Sequence, residues 1–140
     1  MAEASARADD TGPDKVPWKE VRGDLFSCPQ TSSLAHCIGA EIRMGKGVAR
    51  KHVGKTAVLE REGRFVYYLI TKERYFQKPT YDSLRASLED MRAHATEKGV
   101  RHLSMPKIGC GLDGLQWERV AELIQEVFQD TEIHITVYFL

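Results

Sequence analysis

The segment Ile108-Gly109-Cys110-Gly111-Leu112-Asp113-Gly114 holds three glycines within six positions, just ahead of a helical stripe. A loop of this kind can turn successive backbone N–H groups toward one point. A helix N-terminus behind it adds positive partial charge, and the combination suits a phosphate or pyrophosphate. The same residues also suit a tight strand-to-helix turn with no ligand, and the loop alone leaves both readings open. The G-x-x-x-x-G-K-S/T pattern is absent, which disfavours ATP hydrolysis of the P-loop type. A second glycine-punctuated stretch, Arg43-Met44-Gly45-Lys46-Gly47-Val48-Ala49, could contact the same ligand from the opposite side.

Several residues near these loops have chemistry to offer. Asp113 lies three positions before Gln116. It suits a helix N-cap with a capping-box partner, or a carboxylate held near a nucleotide sugar as a general base. Lys72 follows the apolar run Phe65 to Ile70. Burial at that strand end would disfavour the ammonium and give an amine able to attack a carbonyl or an anomeric carbon; a lysine snorkelling to solvent is the plainer alternative. Asp24, in Gly23-Asp24-Leu25-Phe26, is either a turn residue or an acceptor for an exocyclic amine such as that of adenine. Cys110 is a candidate thiol nucleophile, but the sequence forces no His or Lys beside it, and a small turn residue is the simpler reading. His36 and Cys37 fall in an apolar run and are expected in the core, and Trp117 and Phe128 are expected to be packing residues.

These side chains need a scaffold, and the periodicity supplies one. Trp18 to Phe26 alternates apolar and charged residues, and Leu34 to Ile38 is a short apolar run; both are expected to be strands. Thr56 to Leu59 and Phe65 to Ile70 flank Arg61-Glu62-Gly63-Arg64, the pattern of a hairpin with a glycine turn. Tyr81, Leu84, Leu88, Met91 and Ala95 recur at helical spacing until Gly99 stops them. Val100 to Met105 is expected to be a strand, Val120, Ile124, Val127 and Phe128 form a second helical stripe, and Ile133 to Phe139 is a closing strand. Strands alternating with helices predict an α/β fold with right-handed crossovers and a largely parallel sheet packed with helices. Ligands of such sheets sit at the carboxyl ends of the strands, here after Ile38, Ile70 and Ile108.

At 140 residues the chain is expected to form one domain over residues 15–140, preceded by a flexible tail over 1–14 with no apolar centre of the secretory type. Twenty Lys plus Arg balance twenty Asp plus Glu, which removes any global drive toward DNA or anionic membrane. No run approaches the roughly 18 apolar residues of a membrane span. Three cysteines without a C-x-x-C pair argue against a disulfide framework and against a four-ligand zinc site, and fit a reducing compartment, cytosol or nucleus.

Taken in order, Val21-Arg22-Gly23-Asp24-Leu25-Phe26, Leu34-Ala35-His36-Cys37-Ile38, Arg43 to Ala49 and Leu103 to Asp113 resemble a macrodomain. With Tyr67-Tyr68-Leu69-Ile70-Thr71-Lys72, Lys78-Pro79-Thr80-Tyr81 and Ile135-Thr136-Val137-Tyr138, the pattern is more narrowly similar to terminal ADP-ribose protein glycohydrolases, also described as O-acyl-ADP-ribose deacylases. The resemblance spans Trp18 to Leu140. It implies the macrodomain fold, a mixed, largely parallel central sheet between helices, with ADP-ribose bound across the strand ends. By the same resemblance Lys72 is the nucleophile toward glutamate-linked ADP-ribose and Asp113 its acid/base partner. Asp24 and Leu25 would hold the adenine, Gly39 would line the pocket, Lys107, Ile108, Gly109, Cys110, Gly111 and Leu112 would wrap the diphosphate and distal ribose, and Leu140 would lie nearby. The implied partners are ADP-ribose, ADP-ribosylated proteins, poly(ADP-ribose) and its polymerases. A metal, a cofactor, direct DNA contact and a membrane are not implied; a monomer in the nucleus is. A binding module that reads ADP-ribose without turnover is the alternative. One departure stands out: members usually carry a longer helical segment before the hairpin, where this chain has only Arg50 to Lys55.

Overall fold

A computed structural model describes residues 17–40, 52–74, 76–110 and 113–140. The expected tail, the Arg43 to Ala49 loop, and Gly111 and Leu112 lie outside the described residues.

Among the described residues six strands form one sheet: β1 (Trp18–Arg22), β2 (Ser33–Gly39), β3 (Thr56–Arg61), β4 (Arg64–Lys72), β5 (His102–Pro106) and β6 (His134–Phe139). Their spatial order is β1-β6-β5-β2-β4-β3. Every neighbouring pair is parallel except β3 with β4, which are antiparallel. That hairpin turns on Glu62 and Gly63, both at positive φ (53° and 82°), the primed geometry whose twist matches paired strands.

Strand β1 is shorter than the alternation predicts. It stops at Arg22, and Leu25–Ser27 form a 3-10 turn. The cause is Asp24, whose carboxylate accepts a hydrogen bond from the Phe26 N–H at 3.0 Å and so competes with strand pairing.

Helix α1 (Tyr81–Glu97) starts at a reciprocal cap. The Thr80 hydroxyl accepts from the Ser83 N–H at 2.9 Å, and Ser83 Oγ accepts from the Thr80 N–H at 3.1 Å. Leu84, Leu88, Met91 and Ala95 form its buried stripe. Helix α2 (Trp117–Phe128) buries Val120, Ile124, Val127 and Phe128. Both stripes join one core with Tyr67, Leu69, Leu103, Met105, Ile135 and Val137, so both helices cover the same face of the sheet. Arg85 of α1 pairs with Glu126 of α2, and Arg92 donates to the Val127 carbonyl at 2.9 Å. Edge strand β3 is tied to α1 through Thr56, whose N–H reaches Asp90 at 2.8 Å and whose hydroxyl reaches the Ser87 carbonyl at 2.7 Å. Among the described residues no helix is long and apolar enough to cross a membrane.

Candidate active site

Five parallel strands put their carboxyl ends on one side, and the connecting turns there carry the chemistry. Strands β2 and β4 run in register to Ile38 and Ile70, after which a register shift sets Gly39 opposite Lys72. The Ala40 N–H then donates to the Lys72 carbonyl at 2.7 Å. A β-carbon on Gly39 would lie 3.6 Å from both the Lys72 carbonyl oxygen and the Arg74 backbone, in ordinary contact. Ser83 Oγ, already in the α1 cap, donates to the Thr71 carbonyl at 2.8 Å and fixes this strand end against the helix.

The turn after β5 is closed by the Leu115 N–H donating to the Gly109 carbonyl at 2.9 Å. Gly109 has φ +76°, a conformation that favours glycine, and a β-carbon there would lie 3.0 Å from Leu115 Cδ1, which would have to give by a few tenths of an ångström. Gln116, the N-cap of α2, donates its N–H to the Tyr81 hydroxyl at 3.0 Å, which links the turn to the start of α1.

This turn delivers Asp113 to Lys72. Lys72 Nζ lies 2.7 Å from Asp113 Oδ1, with side chains 15% and 20% exposed, so the pair is mostly shielded but open on one side. Asp113 is therefore not a helix cap. The helix begins four residues later, Gln116 occupies the cap without a side-chain hydrogen bond, and the Asp113–Gln116 capping box does not form. A lysine against a carboxylate at this distance has a proton acceptor in place, which is what an amine nucleophile needs.

The neighbouring thiols are poor nucleophiles. Burial, reinforced by the Asp113 carboxylate, pushes the Cys37 thiol up to about 12, with the Thr71 hydroxyl and Lys72 acting in the opposite sense. Burial likewise raises Cys110, whose Sγ donates to the Ile108 carbonyl at 3.6 Å. Both stay protonated near neutral pH.

Farther along the same strand ends lies a cavity of about 470 Å³ lined by Asp24, Leu25, Phe26, His36, Lys107 and Leu140, among others. Four of the residues expected at a ligand thus meet there: Asp24, Leu25, Lys107 and Leu140. Lys72, Asp113 and Gly39 are not among its lining residues; Ile108 is buried in the core and Cys110 is half-buried at the turn. Lys107 Nζ sits 4.8 Å from the Phe139 ring centre and 5.6 Å from that of Trp117, a cation held by two aromatic faces. Phe26 and Leu140 are 73% and 91% exposed, large apolar groups at the mouth.

A family model for the Macro domain matches residues 53–124. The ADP-ribose glycohydrolase OARD1 of Bos taurus is 54% identical over 136 residues, covering 86% of this chain and 90% of that protein. The Homo sapiens protein of the same name is 53% identical over the same length and coverage. The chain belongs to the macro domain family. The fold agrees: the macrodomain of Mycobacterium tuberculosis DarG superposes with a TM-score of 0.77 at 20% identity, over 89% of this chain and 99% of that one. The 136-residue match to the bovine protein uses only 86% of these 140 residues, so some of its positions have no counterpart here.

Within this macro domain, sequence reasoning missed two roles. His36 is not a core residue: it faces away from the helices, stacks on Tyr68 with ring centres 6.0 Å apart, and lines the cavity. Burial holds its imidazole below the ordinary range. Its place after Leu34 in the strand alternation carries that information, because Ala35 and Cys37 take the helix side. Tyr81, read only as a helical stripe residue, anchors the turn through Gln116 and carries the Arg119 guanidinium 4.4 Å from its ring centre. No sequence signal links those three residues.

Proposed function

We propose that this macro domain removes ADP-ribose from acidic side chains of proteins and deacylates O-acyl-ADP-ribose, with Lys72 as nucleophile and Asp113 as its acid/base partner. The observation that carries the reading is the shielded 2.7 Å Lys72–Asp113 pair at the strand ends of a chain more than half identical to proteins named ADP-ribose glycohydrolase.

In this mechanism Asp113 accepts a proton from Lys72, and the freed amine attacks the anomeric carbon of the distal ribose. The new C–N bond forms as the C–O bond to the substrate carboxylate breaks, and the leaving carboxylate takes the proton from Asp113, which is again an anion. Water, deprotonated by Asp113, then cleaves the lysyl-ADP-ribose intermediate and regenerates the amine. At the other end of the ligand, the Asp24 carboxylate accepts from the adenine amine while Phe26 and Leu140 cover the base. Lys107 and the backbone of the turn around Gly109 take the diphosphate. Auto-modified polymerases and poly(ADP-ribose) in the nucleus are substrates in keeping with this chemistry.

A time course of ADP-ribose release from a glutamate-modified protein tests the reading, with Lys72→Ala alongside. Release by the parent and none by the variant supports it. Binding of ADP-ribose without release by the parent makes the domain a reader instead.

A further inference from the structure

The sheet face turned away from the helices carries a second cavity, of about 390 Å³, near the start of strands β1, β5 and β6. Its floor follows from strand alternation. Leu103, Met105, Ile135 and Val137 point into the helix-backed core, so His102 and Ser104 of β5 and His134 and Thr136 of β6 share the opposite face. Lys19 joins them because β1 sets it beside Thr136, which in turn pairs with Ser104. His102 and His134 are directly opposite one another, with ring centres 5.1 Å apart. Beneath them two buried hydroxyls, Ser32 and Ser104, bond each other at 2.6 Å.

Three features set this cavity apart. Eight of its ten described lining residues present a nitrogen or oxygen in the side chain, and the other two are Val21 and Pro29. Among the described residues, none of the side chains of Lys19, Thr31, His102, His134, Thr136 and Tyr138 makes a hydrogen bond or ion pair with the protein. Finally, among the described residues no carboxylate lines the cavity, while Arg101 and Glu132 at the neighbouring edge pair with each other at 3.7 Å. A cavity whose described lining is rich in donors, with a lysine and no acid, matches an oxyanion and repels a cation.

From this we infer that the cavity is a phosphoryl-binding site, distinct from the Lys72–Asp113 centre. Lys19 supplies the charge, and the imidazole N–H groups with the Thr31, Thr136 and Tyr138 hydroxyls supply directed hydrogen bonds. The phosphoryl group has two possible sources. It is free inorganic phosphate, or it is carried by a ligand in the adjoining strand-end cavity, since Tyr138 lines both. The second source rests on the proposed nucleotide site, whereas the first does not.

The test is an NMR titration of the full chain, first with inorganic phosphate, then with ADP-ribose, then with ADP-ribose phosphorylated on the adenosine 2′ oxygen. The expected result is saturable movement of the His102, Ser104, His134 and Thr136 amides by phosphate, weakened about tenfold in Lys19→Ala and in the His102→Gln/His134→Gln pair, the loss expected for charge-assisted hydrogen bonds. These exposed positions leave the core untouched, and unchanged amide signals from Leu88 and Val137 verify folding. If those same amides move with the 2′-phosphorylated ligand but not with ADP-ribose, the group is ligand-borne; if only inorganic phosphate moves them, the anion is free. Absence of saturable movement in every arm, or equal affinity in the variants, overturns the inference. The phosphate arm is read without turnover, so its failure is separate from failure of the glycohydrolase reading.

Discussion

The two faces of the same sheet were given opposite tasks. Along β5 and β6 the odd-numbered residues Leu103, Met105, Ile135 and Val137 are sealed under α1 and α2, while the even-numbered His102, Ser104, His134 and Thr136 line a polar cavity. In β2 the split continues, with Ala35 and Cys37 toward the helices and His36 toward a ligand-sized opening. Because side chains alternate with period two, one strand can hold the fold with one set of residues and meet solutes with the other. The Lys72–Asp113 pair belongs to neither set; it sits where the strands end and turns take over.

Substitutions can separate these tasks. The largest effect is expected at the strand ends: Lys72→Ala and Asp113→Asn should each lower ADP-ribose release by about 10²–10⁴, as for loss of a positioned nucleophile or base. The melting temperature should move far less, and a collapse of stability instead would show that the pair holds the fold. On the helix-backed face, Leu88→Ala should cost about 2–5 kcal/mol in urea unfolding because it opens a cavity in a filled core. Ligand affinity measured well below the transition should survive that change. Gly109→Ala probes the boundary between the tasks: a positive φ and a 3.0 Å contact with Leu115 predict a loss of about 1–3 kcal/mol together with weakened ADP-ribose binding, read by calorimetry. Thr80→Ala removes one cap bond and should cost about 1 kcal/mol with activity retained.

The smallest effect is a pH dependence. Burial lowers His94, whose Nδ1 lies 2.9 Å from the Tyr67 hydroxyl, and burial also lowers His36. An imidazole lowered on folding binds fewer protons in the native state than in the unfolded chain. Stability is therefore full above the unfolded value near 6.5 and declines as pH falls below it toward the native value. Urea midpoints at pH 7 and pH 5 should show this decline, and His94→Gln should flatten part of it.

Local chemistry made much of the fold legible. The Glu62-Gly63 turn, the Thr80 start and Gly99 stop of α1, and the apolar stripes of both helices are short-range signals, and the structure has an element at each. The errors arose where local and tertiary demands compete. Alternation runs on through Leu25 and Phe26, yet the Asp24 side chain bonds the backbone first and ends β1. Asp113 has the spacing of a cap, yet closure of the Gly109–Leu115 turn moves the helix start past it and turns it toward a lysine 41 residues away. The polar cavity was invisible because it depends on the register of three strands, β1, β5 and β6, which no motif encodes.

Strand order also has a consequence for synthesis. Among the described strands β1 borders β6 alone, and β6 follows all the others along the chain. A nascent chain can form the β3–β4 hairpin and lay α1 against it early, but β1 meets its partner among the described strands only when His134–Phe139 emerges. Contacts that span nearly the whole chain are slow to form. Trp18–Arg22 therefore waits for its β6 partner until that strand is made, and a stop codon placed before His134 would remove that neighbour from the sheet.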